Sequence, residues 1–260
     1  MNIVVCVKTN PDLEMVRIKN REPVLDAVPY KVGDLEKNAL EAAVQLREEA
    51  GEGKVTILAV GEGDRKIKET LKEALAMGAD EAVIIADSSC EATDQAGIAA
   101  ALAAAVEKMD EVDLVLFGEG SSDNYTGQVG PRVAERLGWP QIGFARAIGI
   151  SGDNLRAERR MEDEVEVFEA PGPLVVTVVS EINEPRIPSL MNIMKAGKKP
   201  VMEWGLDDLG LASDDLAAQK QILSNLAEEQ DRKNIILEGD IVDQAGELIN
   251  ALTKEGVLGR

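Results

Sequence analysis

Short apolar runs alternate with amphipathic stretches along the first half of the chain, and that alternation predicts a layered α/β fold. Ile3 to Val7 is β-branched and apolar throughout, the pattern of a strand buried on both faces of a parallel sheet. Val55 to Val60, Glu81 to Ala86 and Asp113 to Phe117 repeat it. Helical patterns lie between them. Asp34 is placed to cap a helix running to Glu49, with Leu35, Ala39, Ala42, Ala43 and Leu46 on one face. Arg65 to Met77 makes a second helix closed by Gly78, and the alanine-rich stretch Asp94 to Met109 a third. Residues 13–32 alternate weakly, like an excursion or edge hairpin. Strands and helices in turn imply right-handed crossovers and a mostly parallel sheet.

The run Leu114 to Phe117 stops at Gly118, where a small, polar loop begins and leads into the helical pattern Arg132 to Leu137. Glycines at 118, 120, 127 and 130 permit positive φ and close backbone approach, while Ser121, Ser122, Thr126 and the amides ahead of the helix can bind phosphate oxygens. Asp123 and Asn124 can take a ribose hydroxyl or an adenine edge. An ordinary βα turn has the same composition. The loop's length, and its place at a strand's carboxyl end where open α/β sheets bind ligands, favour an anion cradle. Neither G-x-G-x-x-G nor a P-loop is present, so a dinucleotide fold of the usual dehydrogenase type is not expected.

After Trp139-Pro140 the apolar runs shorten. Phe144 to Ile150, Leu155 to Arg159, Val165 to Phe168 and Leu174 to Ser180 are predicted as a meander completing the sheet. Ile182 to Met194 is apolar but broken by Pro185 and Pro188, so it cannot be a central strand; it either covers the core or presents Ile187, Leu190, Met191 and Met194 to another body. Past Pro200 the apolar content thins, and a final helix is expected from about Asp240 to Glu255. Residues 1–200 therefore form the expected α/β domain, and 201–260 an arm that gains its stability by wrapping a partner.

Composition removes several classes of function. The net charge of −20, from 28 basic and 48 acidic residues, argues against nucleic acid as a partner. With no histidine in 260 residues, a Ser-His-Asp triad, a His-based metal site and an imidazole proton shuttle are excluded for the chain acting alone. Cys6 and Cys90 are too few and too far apart for a metal motif, and Cys6 lies in an apolar strand, as in a reduced cytoplasmic protein. No signal-peptide pattern and no run of the roughly 20 apolar residues needed for a membrane span occur.

Several segments together carry a resemblance: MNIVVCVK at Met1 to Lys8, KNALEAA at Lys37 to Ala43, LAMGAD at Leu75 to Asp80, Asp123 to Pro131, LGWP at Leu137 to Pro140, and NEPRIPSLMNIMKAGKK at Asn183 to Lys199. In order and spacing the chain resembles the β subunit of electron-transfer flavoprotein along essentially its whole length. The resemblance implies a Rossmann-like, adenine-nucleotide-binding sheet with an extended C-terminal arm, in a heterodimer whose α subunit carries most of an FAD. It implies electron transfer from flavin dehydrogenases, typically the acyl-CoA dehydrogenases of fatty acid β-oxidation, to a membrane quinone oxidoreductase. The β site takes AMP, or a second FAD in members that bifurcate electrons with NADH. By motif matching that site falls on Cys6 and Val7, on Gly33, Asp34, Leu35 and Glu36, on Glu62, and on the cradle from Gly118 through Gly120, Ser121, Ser122, Asp123, Asn124, Tyr125, Thr126, Gly127 and Gln128 to Val129. Asp12 and Leu13 correspond to the flavin-proximal loop; Glu184, Pro185, Arg186, Ser189, Leu190 and Met191 fall in the loop that docks on dehydrogenases.

Physically, Cys6 and Val7 can offer backbone N–H and C=O groups to an adenine edge. Glu36 and Glu62 stand where other residues are common; a carboxylate close to phosphate repels it by about a kcal/mol, so both are expected to reach ribose hydroxyls or solvent. Gly120 replaces a larger polar residue and is expected to leave room for a bulkier nucleotide or for water. Arg160 stands where an acidic residue is common, within the run Arg159 to Glu164, so a role carried by that acid in relatives does not transfer. The competing interpretation is a stand-alone ATP- or AMP-binding regulatory domain of the universal-stress type, which has no need of Glu184 to Lys199 or the arm.

Overall fold

The computed structural model describes residues 1–61, 63, 65–90, 92–228 and 233–258. Packing divides them into two units: Met1–Arg17 with Val24–Ser224, and Ile18–Pro23 with the segment from Asn225 onward.

The first unit contains β1 (Ile3–Cys6), which continues through β2 (Thr9–Pro11) into an excursion. Within that excursion β3 (Arg17–Lys19) and β4 (Glu22–Val24) form a two-stranded sheet that falls mostly in the second unit, and β5 (Tyr30–Val32), again in the first, returns beside β2 in another. Next come α1 (Asp34–Ala50), β6 (Val55–Gly61), α2 (Arg65–Met77), β7 (Glu81–Ala86), α3 (Gln95–Lys108), β8 (Leu114–Gly118) and α4 (Val129–Leu137). The second half supplies β9 (Gln141–Ser151), β10 (Asn154–Arg160), β11 (Val165–Pro171), β12 (Leu174–Val178), α5 (Leu190–Ala196) and β13 (Val201–Trp204). The main sheet runs β11-β10-β9-β12-β8-β1-β6-β7-β13, parallel from β9 to β13, with β10 and β11 added antiparallel. The fold class is therefore the layered, mostly parallel α/β sheet that the alternation of apolar runs predicts.

The pleat divides the core. Ile3, Val5, Ile57, Ile84, Leu114 and Leu116 pack against α1 and α2, while Val4, Cys6, Leu58, Val83, Val115 and Phe117 pack against α3 and α4. Strands buried on both faces have no polar side, which explains their continuous apolar runs.

Three features differ from the sequence-based expectation. Leu174–Val178 does not continue the meander; it inserts parallel between β8 and β9. Its residues are all buried, suiting an interior slot, whereas β11 carries Glu166 and Glu169 and takes the edge. The cap of α1 is Gly33 and Asp34 is its first residue, with no side-chain cap bond. Val201–Trp204, taken for the start of the arm, adds an edge strand parallel to β7, and Leu206 and Leu216 are buried against α3, so residues 201–224 pack with the first unit.

In the second unit, Ala227 N–H donates to the Arg21 carbonyl at 2.7 Å and Arg21 Nε to the Ala227 carbonyl at 2.9 Å. Helix α6 (Ile241–Lys254) is capped by Asp240, whose carboxylate accepts from the Val242 and Asp243 amides. It buries none of its residues, and Ile241, Val242, Leu248 and Ile249 are exposed.

Candidate functional site

Because β8, β1 and β6 are parallel neighbours, the loops after them leave the sheet at one edge. A cavity of about 400 Å³ opens there. Leu58, Val60, Phe117 and the Cys6 side chain give it apolar walls, and Ile98 and Leu102 of α3 extend them. Gly118 lets the cradle leave the strand directly beside α1, since a Cβ here would lie 2.7 Å from Leu35 Cβ.

The cradle is tied down from within. Asp123 accepts from Lys8 Nζ at 2.6 Å, from Ser121 Oγ at 2.6 Å and from Asn124 Nδ2 at 3.2 Å. Burial raises the Asp123 carboxyl, but the Lys8 ammonium and Ser121 hydroxyl outweigh it and hold the group below its usual range. Glu119 N–H donates to the Val178 carbonyl at 2.9 Å, and the Glu119 carboxylate accepts from the Tyr125 hydroxyl at 2.6 Å. Gly127, at φ +63°, makes the turn that brings the chain into α4.

Two helix starts border the cavity, and they differ in charge. At α3 the Asp94 carboxylate already accepts from the Ala96 and Gly97 amides and, through its other oxygen, from Gln219 N–H at 2.8 Å. At α4 the cap residue Gln128 makes no side-chain cap bond; its amide oxygen accepts from Arg132 instead. Among the described residues no side-chain carboxylate caps the first turn of α4, and Gln128, Val129 and Gly130 all line the cavity. An anion is favoured at α4 and disfavoured at α3.

Away from α4 the wall includes Glu36, 4% exposed, whose Oε2 has no hydrogen-bond partner. Burial pushes its carboxyl up to about 7, with its own backbone amide and then Lys8 opposing. The arrangement suits a molecule with an anionic group at one end, a flat apolar-tolerant body and a hydrogen-bonding group that reaches Glu36.

Of the residues expected from sequence, Cys6, Val7, Glu36, Gly118, Gly120, Ser121, Asn124, Thr126, Gly127, Gln128 and Val129 line this cavity. Gly33, Asp34, Leu35, Ser122, Asp123 and Tyr125 do not; Gly33 lies against the Glu36 carboxylate, where any Cβ would collide with it. Glu62 lies outside the described residues. Asp12 caps a short turn over Leu13–Met15 and pairs with Lys31, and Leu13 is exposed beyond the cavity. Two physical expectations change. Val7 N–H is engaged by the Leu58 carbonyl at 2.9 Å, so it is no donor for a base. The room expected beside Gly120 is taken by the Tyr125 ring, 3.1 Å from where a Cβ would stand. Sequence reasoning missed Lys8, Thr93, Asp94 and Ile222 as wall residues. Asp94 was legible as an N-cap at a strand's carboxyl end; Ile222 had no local signal.

The segment expected to dock on dehydrogenases contributes no residue to the cavity lining and is tied to α1 and α2. Arg186 Nε and Nη2 donate to Glu41 at 2.7 and 3.0 Å, and Nη1 and Nη2 to Glu48 at 2.9 and 3.2 Å. Its guanidinium thus faces α1 and ties the segment to that helix. Asn38 and Asn183 bond each other, and Lys199 Nζ donates to the Leu75 and Ala79 carbonyls. Ser189 caps α5 by accepting from Asn192 N–H. On this base Glu184 is exposed and Pro185 half-buried, while Ile187, Leu190, Met191 and Met194 stand out, Leu190 at 82% exposure.

Among the described residues no helix is long and apolar enough to cross a membrane. Residues 24–209 match the family model for the electron transfer flavoprotein domain.

Proposed function

Because the chain belongs to the electron transfer flavoprotein family, we propose that it is the β subunit of a heterodimer passing electrons from flavin dehydrogenases, such as acyl-CoA dehydrogenases, toward a quinone oxidoreductase. The supporting observation is a separation of roles within the first unit. A ligand-sized cavity occupies the carboxyl edge of the sheet, and an apolar finger with no place in the core stands elsewhere on α1 and α2. A stand-alone regulatory domain needs only the first of these.

In this reading the cavity holds AMP. Its volume of about 400 Å³ is at the small end of ligand sites, which run from about 300 to 1,000 Å³, and Tyr125 occupies the space that would have favoured a second FAD. The phosphate lies against the amides of Gln128, Val129 and Gly130, and the base between Phe117 and the α3 residues Ile98 and Leu102. The FAD, held mainly by the α subunit, supplies the redox chemistry when bound; this chain makes no covalent bond. Asp12 and Leu13 approach the flavin, and α6 with the segment from Asn225 forms the arm on the α subunit. Co-expression with that subunit, followed by flavin and nucleotide analysis, is expected to give one FAD and one AMP per heterodimer. Two FAD with reduction by NADH would replace AMP by the bifurcating form, and absence of flavin would overturn the assignment.

Leu190 is expected to be the docking hot spot, since a single exposed apolar side chain on a rigid base contributes disproportionately when it fills a partner pocket. Leu190→Ala should slow flavin reduction by a dehydrogenase by about thirtyfold, corresponding to the roughly 2 kcal/mol of such sites, while AMP content stays unchanged. Stopped-flow reduction at varied dehydrogenase concentration checks this, and unaltered kinetics would count against docking at α5.

A further inference from the structure

Among the described residues, the buried side-chain polar atoms without a hydrogen-bond partner are Asn10 Oδ1, Asn10 Nδ2 and Glu36 Oε2. Both side chains abut the same point, the missing Cβ of Gly33. Asn10 is 1% exposed and Glu36 4%, and of the two only Glu36 lines the cavity. Glu36 therefore belongs to the wall that a ligand meets, while its Oε2, packed at Gly33, has no donor to hold a negative charge there.

The charges around it decide the form in which it does so. Lys8, at the end of β1, faces Glu36, but its ammonium is bound to Asp123 at 2.6 Å, and Asp123 faces Glu36 as well. Lys37, on the same helix, pairs with Glu73 at 2.7 Å, and Asp34 adds another carboxylate on α1. The remaining titratable groups lining the cavity are Asp94 and Glu119, which are acids, and the Cys6 and Cys90 thiols, which burial keeps protonated. Among the described residues lining the cavity, Lys8 is the one cation, and it is already paired with Asp123, so none is left to balance an ionised Glu36, and a phosphate arriving at α4 adds further negative charge.

We infer that Glu36 holds the nucleotide as a neutral carboxylic acid, so that binding takes up one proton from solvent onto this carboxyl. This deepens the nucleotide reading above and rests on it. The proton adds to a carboxylate oxygen of Glu36, no other bond forms or breaks, and the neutral carboxyl no longer repels the arriving anion. The elevated pKa of about 7 means that the nucleotide-free carboxyl is mostly ionised at pH 8 and mostly neutral at pH 6. Affinity should therefore fall about tenfold between those pH values.

The test is titration calorimetry of AMP into the full chain freed of nucleotide, at pH 6 and 8, in two buffers of different ionisation enthalpy. Wild-type protein is expected to take up close to one proton per AMP at pH 8. Glu36→Gln should show no such uptake and lack the tenfold fall, keeping only the change caused by the phosphate itself, whose second pKa is about 6. The buffer comparison on wild type needs no variant and stands if Glu36→Gln does not fold. Tight AMP binding without proton uptake, or affinity rising with pH, would overturn the role of Glu36 and leave the nucleotide site standing. Failure of wild type to bind AMP at either pH would overturn the nucleotide reading itself.

Discussion

Arg186→Ala is expected to destabilise the protein by about 2–4 kcal/mol, read as a lower urea midpoint at unchanged slope. Glu41 is 3% exposed, and its carboxylate is bonded by three groups of Arg186: the backbone amide, Nε and Nη2. Removing the guanidinium leaves a buried carboxylate with only Gln45 Nε2 as a side-chain donor, and an uncompensated buried charge costs more than the lost pair was worth. Because Arg186 is itself about a third exposed, the loss falls toward the lower part of the range for buried pairs. Burial raises the Glu41 carboxyl, but its bonds to Arg186 outweigh that and hold it below the usual value of 4.5. A folded pKa below the unfolded one gives stability that is present above pH 4.5 and lost as pH falls through the folded value. In the variant burial raises the stranded carboxyl, so the difference between wild type and variant should be largest at pH 7, begin to shrink above pH 4.5 and go on shrinking below it. Adding Glu41→Gln to Arg186→Ala should recover much of the loss; if it recovers none, the stranded carboxylate is not the cause. Arg186→Lys should recover only part, since one ammonium cannot reproduce the planar fork that spans Glu41 and Glu48.

Arg186 also shows where sequence reasoning stops. Its segment is recognisable along the chain, and the exposure of Ile187, Leu190 and Met194 follows from two prolines in an apolar run. The direction of the guanidinium depends on α1, more than a hundred residues earlier, and no local pattern encodes it. The same division holds at the cavity. Gly118, Gly127 and the start of α4 are legible because loop geometry restricts residue type locally. The engagement of Val7 N–H by Leu58, the Tyr125 ring over Gly120 and the Asp94–Gln219 bond arise from pairings between distant segments. The place of β12 was missed for a related reason: sequence neighbours suggest a meander, while burial on both faces sends Leu174–Val178 into the sheet interior.

Glu36→Gln is expected to stabilise the nucleotide-free chain at pH 8 by about 2–3 kcal/mol, raising the melting temperature by roughly 4–10 °C. Here the sign is opposite to that at Glu41. Burial raises the folded carboxyl to about 7, above its unfolded value near 4.5, so between these the native state keeps a proton that the unfolded chain releases. Stability of wild type therefore falls as pH rises from 4.5 to 7, and the deficit is complete above that window. Glutamine keeps the shape and carries no charge, so its advantage should be absent at pH 4.5, grow to pH 7 and stay constant beyond. A variant equally favoured at both ends of that range would show that the gain comes from packing and not from the proton. A variant less stable than wild type at pH 8 would mean that the Glu36 and Lys8 backbone amides hold the carboxylate more strongly than burial penalises it. Glu41 and Glu36 lie on the same helix and are almost equally buried, yet their expected pH dependences run in opposite directions, because one is held by an arginine and the other lines a cavity whose one described cation is already paired.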